Sequence, residues 1–161
     1  AKITFEGKKV SNLIFTFKSG HETDLAVKLF SIAISRIRAI QENKHRAVLV
    51  PIPASTREKN RIRYEEFCQK LSADIGVADG YGAITLTADR PQLKGTHGQD
   101  KTLNLQFHPE YIKDKCVLLL DDLLTTGEGF IQTRRRLIEH GAKFVIGLFL
   151  AKTIAFEDEQ E

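Results

Sequence analysis

Methionine and tryptophan are absent from the 161 residues, and cysteine occurs only twice. Cys68 and Cys116 lie too far apart for a CxxC metal or redox motif, and two thiols make no disulfide framework. Cys116 opens an apolar run and reads as a core residue. Thiols used this way suit a reducing compartment, so the expected location is the cytoplasm. No stretch approaches the roughly eighteen consecutive apolar residues of a membrane-spanning helix, and no secretory signal pattern opens the chain. A chain that starts at Ala1 without methionine has either lost its initiator or begins away from its natural N-terminus. A basic stripe is also missing. The 24 Lys and Arg are mixed with 21 Asp and Glu, for a net charge of +3. The dense run Arg134-Arg135-Arg136 falls in a helical stretch and reads as a solvated face, so direct nucleic-acid binding is not indicated.

What is present is ordinary for a globular domain: 42% hydrophobic and 28% charged residues. A chain of this length buries roughly 70% of its unfolded surface in one core. We find neither an internal repeat nor a linker. The expected organisation is one domain over residues 1–156, followed by a solvated acidic tail at 157–161.

Hydrophobic spacing sets the elements. Ile3 to Phe5 reads as a short strand or arm. Val10, Leu13, Ile14 and Phe17 recur at helical spacing, and Ser19-Gly20 stops that helix. Leu25 to Ile40 reads as a long, largely buried helix. Ala47 to Val50 is a continuous apolar run ended by Pro51, the pattern of a strand buried on both faces. A loop from Pro51 to Lys59 leads to a helix carrying Ile62, Phe67, Leu71 and Ile75, closed by Gly76. Ile84 to Leu86 is a strand. Ala88 to Asn104 is polar and aperiodic, the character of a functional lid or a disordered loop. Cys116 to Leu120 is the clearest strand, Gly127 to His140 a helix, and Phe144 to Leu150 a last strand. Strands alternating with helices predict an α/β fold with a central, mostly parallel sheet flanked by helices.

The chemistry concentrates where the clearest strand ends, in Leu120-Asp121-Asp122-Leu123-Leu124-Thr125-Thr126-Gly127-Glu128-Gly129. Ligands of open α/β sheets bind at the C-terminal ends of strands. Two adjacent carboxylates repel, and stability alone gives little reason to bury them there. Losing one should leave the unliganded protein as stable or more so. They suit the hydrogen bonds of vicinal sugar hydroxyls or a hydrated magnesium ion. Hydroxyls and small residues opening a helix suit a phosphate. A diol reader beside a phosphate cradle describes a 5-phosphoribosyl group. The structural alternative is a threonine that caps the helix beside solvated aspartates.

That string resembles the signature of the type I phosphoribosyltransferases: four apolar residues, two acidic, two apolar, two small or hydroxylated, glycine, any residue, then a hydroxylated one. Val117 to Gly127 match; Gly129 departs, and with it goes one phosphate-binding hydroxyl. The resemblance implies that Asp121 and Asp122 face the ribose hydroxyls. The 5-phosphate then falls to Thr125, Thr126, Gly127, Glu128 and Gly129, with Leu124 also among the residues that bind phosphoribosyl diphosphate. It implies Mg²⁺ as cofactor, reached indirectly by Asp121 and Asp122 through a magnesium-bound ligand. It places a diphosphate loop at Ala54, Ser55, Thr56 and Arg57, where a guanidinium suits a diphosphate; the alternative is a surface charge on a turn. It makes Ala88–Asn104 a loop that closes over substrate, with Lys94, His97 and Lys101 as candidate catalytic groups neutralising the departing diphosphate. His97 is also a candidate acid, against a solvated loop histidine. Walls for the acceptor fall at Phe15, Phe17 and beyond Leu150, against a reading of both aromatics as core.

Thr125 stands where 6-oxopurine enzymes carry an aspartate, which argues against hypoxanthine or guanine. Asp-Asp-Leu-Leu-x-Thr-Gly is similar to adenine phosphoribosyltransferases, whose Ser-Arg-Gly-Phe diphosphate loop is missing. The wider pattern is most similar to ComF-type proteins. Its parts are a Gly7-to-Gly20 segment with Lys18, a Pro-x-Pro strand end, Arg61 to Phe67, Arg90-Pro91-Gln92, and Asn104 with Phe107. The cysteine-rich zinc module of many such chains is not among these 161 residues, so either the protein lacks it or the sequence begins after it. The implied reaction is phosphoribosyl transfer to a nitrogen acceptor. A non-catalytic phosphoribosyl diphosphate or nucleotide sensor and a competence-related module acting through protein partners stand as alternatives. The expected partner is the small-molecule substrate, with homodimerisation left open and no membrane.

Overall fold

A computed structural model describes residues 13–14, 16–21, 23–89, 100–124 and 126–152. Residues 13–14 and 16–18 are helical and stop at a turn in which Gly20 takes a φ of +79°. Glycine is required there twice over, because a Cβ would also lie 2.7 Å from Ile62 Cγ2. Helix α1 (Thr23–Ser35) follows, then α2 (Arg38–Glu42). The sequence pattern anticipates one helix through Ile40, but Ile37 is extended, with φ −90° and ψ 101°. Side chains take over the terminal carbonyls at the break: Ser35 Oγ donates to Ile32 O (2.6 Å) and Gln41 Nε2 to Ile34 O (3.0 Å). Nor is α1 largely buried. Ala26, Phe30 and Ile34 face the core, whereas Leu25, Leu29 and Ile32 are exposed.

Strand β1 (Ala47–Pro51) leads into α3 (Arg57–Asn60), a π-helical turn (Arg61–Glu65) and α4 (Glu66–Ile75). The loop after β1 ends earlier than Lys59 because Thr56 caps α3, its hydroxyl accepting from Lys59 N. Gly76 closes α4 with a φ of +71°. β2 (Ala78–Asp79) is followed by β3 (Ile84–Leu86) and β4 (Leu105–Phe107), which pair with each other antiparallel as a separate ribbon. The polar stretch 88–104 therefore joins the two arms of one ribbon. Its residues 90–99, together with the expected strand at Ile3–Phe5 and the helix start near Val10, lie outside the described residues. A short helix α5 (Pro109–Ile112) precedes β5 (Cys116–Leu124), α6 (Glu128–Glu139) and β6 (Phe144–Lys152).

The main sheet has the order β2-β1-β5-β6, all parallel. Alternation along its central strands splits the core in two. Ala47, Leu49, Leu118 and Leu120 meet Phe17, Phe30, Phe67 and Leu71 on one face. Val48, Val50, Val117 and Leu119 meet Ile84, Phe107 and Leu137 on the other. Both faces are covered, which is why these strands read as unbroken apolar runs. After β1 the chain adds β2 on one side and then returns to add β5 on the other. The C-terminal ends of β1 and β5 thus form the topological switch point of the sheet.

β6 lies against α6 through Gly147. A Cβ at Gly147 would sit 2.5 Å from Phe130 Cε2 and 3.1 Å from Phe149 Cε2. Those two rings meet edge to face at 5.5 Å. Gly147→Ala is expected to force one ring aside and cost about 1–3 kcal/mol. A lower Tm for the unliganded variant would show it. Among the described residues no helix is long and apolar enough to cross a membrane.

Candidate functional site

A cavity of about 410 Å³ opens at the switch point. Its walls come from the end of β5, the loop after β1, the π-helical turn, the start of α6 and the turn at 101–105. β5 runs four residues further than its apolar pattern indicates, because Leu123 and Leu124 stay paired with β6. Asp121 and Asp122 therefore sit within the strand, on rigid backbone. Asp122 is buried, with 4% of its surface exposed.

The two carboxylates are held by different groups. Asp121 Oδ1 accepts from Tyr64 Oη (3.2 Å) and from the Asp122 N–H (2.8 Å). Asp122 Oδ1 accepts from the Leu123 N–H (2.8 Å). Asp122 Oδ2 is buried and accepts no hydrogen bond among the described residues. The Lys18 ammonium lies 3.3 Å from it. An aromatic cluster fixes both sets of partners. Phe17 packs edge to face on Tyr64 (5.9 Å) and Phe67 (5.0 Å), which brings its neighbour Lys18 to Asp122 and the Tyr64 hydroxyl to Asp121. Phe17 is itself core, 1% exposed, so it forms no acceptor wall; Phe15 lies outside the described residues.

Electrostatics separate the pair. Burial pushes Asp121 up to about 8, and Asp122 beside it adds to the rise. Burial would raise Asp122 as well, but hydrogen bonding with Asp121 and the charges of Lys18 and Arg63 outweigh it and hold Asp122 below the usual carboxylate range. At neutral pH the pair therefore carries one negative charge and one proton. The Tyr64 hydroxyl is pushed well above its usual range by burial and by both aspartates, so it stays a donor.

At the far end of β5, Gly127 takes a φ of +82° and starts α6 with no side-chain cap. The Thr126 hydroxyl accepts from the Glu128 N–H at 3.3 Å. This end of α6 carries the positive pole of the helix and its first free N–H groups. Leu124, Gly127 and Gly129 line the cavity; Thr125 lies outside the described residues. A Cβ at Gly129 would make an ordinary 3.8 Å contact with Lys101 Cδ, so packing does not exclude a hydroxylated residue there. Lys101 does line the cavity, and its ammonium is 3.9 Å from Glu128 Oε2 while its N–H binds Gln132 (2.9 Å). It stands over the start of α6. Lys94 and His97 lie outside the described residues.

In the loop after β1, Ala54 and Ser55 line the cavity, and the Ala54 N–H donates to buried Asn60 (3.0 Å). Arg57 does not point where its sequence position suggests. Its guanidinium donates to Leu86 O (3.1 Å) and Thr87 O (2.6 Å), and its N–H to Asp89 (2.9 Å), tying this loop to β3. Lys59 and Arg63 line the cavity in its place. The sequence reading placed neither of them in the site. Helical spacing from the Thr56 cap was the available signal, since residues 59 and 63 are one turn apart. Among the described residues no cluster of three His, Cys, Asp or Glu could hold a metal ion.

No family model matches the chain. A solved adenine phosphoribosyltransferase superposes over 81% of this chain and 69% of its own, with TM-score 0.51 and 12% identity. The fold is that of the type I phosphoribosyltransferases. A hypothetical protein from Neisseria gonorrhoeae with bound ppGpp aligns over 84% of this chain and 71% of its own, at TM-score 0.50 and 13% identity. In sequence, 99 residues are 30% identical to an orotate phosphoribosyltransferase of Pyrococcus abyssi (strain GE5 / Orsay), 58% of this chain and 52% of that protein. The chain thus spans about half the length of this curated relative.

Proposed function

We propose that this chain binds 5-phosphoribosyl 1-diphosphate and transfers its phosphoribosyl group to a nitrogen acceptor. One observation carries the reading: the Asp121–Asp122 pair and the start of α6 line one cavity at the switch point of a phosphoribosyltransferase sheet. The pair accepts hydrogen bonds from the ribose hydroxyls, and residues 126–129 hold the 5-phosphate. Ala54, Ser55 and Lys59 receive the diphosphate, with Lys101 adding positive charge over α6. Magnesium bound with the ligand would neutralise the charge of the diphosphate, and Asp121 and Asp122 would reach it by way of the ligand. The C1–O bond to diphosphate breaks, the acceptor nitrogen bonds to C1, and its proton leaves. Positioning and charge stabilisation supply the catalysis.

Phosphoribosyl diphosphate with magnesium is expected to raise Tm, since a ligand selective for the folded state stabilises by mass action. No shift at ligand concentrations well above those of cells sinks the proposal. Diphosphate release across nitrogenous acceptors, orotate first because of the Pyrococcus relative, then identifies the acceptor. A non-catalytic sensor is favoured by one observation, the missing hydroxyl at Gly129, and stabilisation without turnover on any acceptor would establish it. Within this reading the chain is ComF-type, works in the cytoplasm with Cys68 and Cys116 as free buried thiols, and forms one domain to residue 156.

A further inference from the structure

We infer that Asn60 is the positioning residue of the loop after β1: its buried amide ties down the Ala54 N–H and so fixes Ser55 in the cavity wall as a receiver of diphosphate. Asn60 is 6% exposed and does not itself line the cavity. The other residues of α3, Arg57 to Lys59, are exposed. A polar side chain turned inward in this way needs partners, and an amide brings both an acceptor and donors. Asn60 Oδ1 accepts from the Ala54 N–H at 3.0 Å. The same amide engages the Tyr81 hydroxyl. Tyr81 is in turn seated on the sheet. Its own N–H donates to Asp79 in β2 (2.9 Å), and the Gly80 N–H before it donates to Leu49 O in β1 (2.7 Å). The loop is thereby referred back to the strand it leaves.

The loop has few other holds. Pro51 and Pro53 have no N–H to give. The Ile52 N–H donates to Leu120 O (2.7 Å) at one end, and the Arg57 N–H to Asp89 (2.9 Å) at the other. Between them Asn60 takes the Ala54 N–H, while no partner takes the Ser55 N–H among the described residues. Ser55 lines the cavity beside Lys59. A free N–H and a hydroxyl next to an ammonium suit a diphosphate oxygen. Groups held in place beforehand bind it without first having to order the loop. The inference deepens the phosphoribosyl reading proposed above and rests on it.

Calorimetric titration with inorganic diphosphate and magnesium, and separately with ribose 5-phosphate, tests the assignment. Asn60→Ala frees the Ala54 N–H, so diphosphate should bind roughly ten-fold more weakly. Ribose 5-phosphate, which the proposed reading gives to the carboxylate pair and the start of α6, should bind as in wild type. Asn60→Asp keeps an oxygen for the Ala54 N–H and should recover most of the loss. Tyr81→Phe removes only the hydroxyl that engages the amide and should weaken diphosphate alone, less than Asn60→Ala does; it carries the test if Asn60→Ala does not fold. Hydrogen exchange at the Ala54 amide reads the same contact without ligand: slow in wild type and Asn60→Asp, fast in Asn60→Ala. Unchanged diphosphate affinity in Asn60→Ala, a loss shared equally by both ligands, or an Asp variant no better than the Ala variant overturns the inference and leaves the proposed function standing. Wild type that binds neither ligand removes the proposed function and the inference together.

Discussion

Asp122→Asn is expected to weaken binding of phosphoribosyl diphosphate with magnesium by about 1.5–3 kcal/mol, roughly ten-fold or more, in a calorimetric titration. Asparagine keeps the shape and can still accept from the Leu123 N–H, so the change is confined to charge. Asp122 is the ionised member of the pair, and a charged acceptor buried in a cavity loses most when it becomes a neutral amide. Two adjacent like charges, read from the sequence, suggest that stability without ligand holds or rises. The structure reverses that for Asp122. Hydrogen bonding with Asp121 and the charges of Lys18 and Arg63 hold its carboxylate below the usual range, so its contribution is present above that range and is lost as pH falls through the lowered value. Asparagine forfeits it, and a small drop in Tm is expected, small because Lys18 is half exposed and rehydrates. Unchanged affinity together with a large loss of stability would make Asp122 a structural residue.

The central strands, the helix after Gly127 and the carboxylate pair were legible because each depends on local pattern: apolar runs, a glycine start, two acids at a strand end. What escaped depends on partners distant in sequence. β4 is only Leu105–Phe107, and its strand character comes from pairing with β3 across a long polar connection. The end of β5 at Leu124 is set by β6. Arg57 sits in the expected loop, yet the carbonyls of Leu86 and Thr87 draw its guanidinium away, and no spacing rule reveals them. Lys18 belongs to a segment that reads as an ordinary amphipathic helix. It enters the site only because Phe17 finds Tyr64 and Phe67 fifty residues on. The division of the aspartates into a protonated and an ionised member is likewise a product of packing, since sequence presents them as equals.

That division makes the last prediction. Asp121 is pushed up to about 8 by burial and by Asp122, whereas in the unfolded chain it titrates near 3.8. Between those values the folded state holds a proton that the unfolded state has lost, so this group makes stability fall as pH rises, and the penalty stops growing above about 8. Asp121→Asn removes it while keeping an oxygen for Tyr64 and the Asp122 N–H. The variant should be more stable than wild type, and the gap should widen by roughly 1.4 kcal/mol per pH unit between about pH 5 and 8, then level off. Denaturant titrations of both proteins across that range measure it. A gap independent of pH would show that Asp121 ionises normally in the fold. Ligand binding reports the same group independently. Ribose hydroxyls donate to the ionised carboxylate, so binding at pH 7 should release a proton, affinity should climb toward pH 8, and the heat of binding should depend on the buffer. In Asp121→Asn all three signatures should vanish, because the proton that must leave is no longer there.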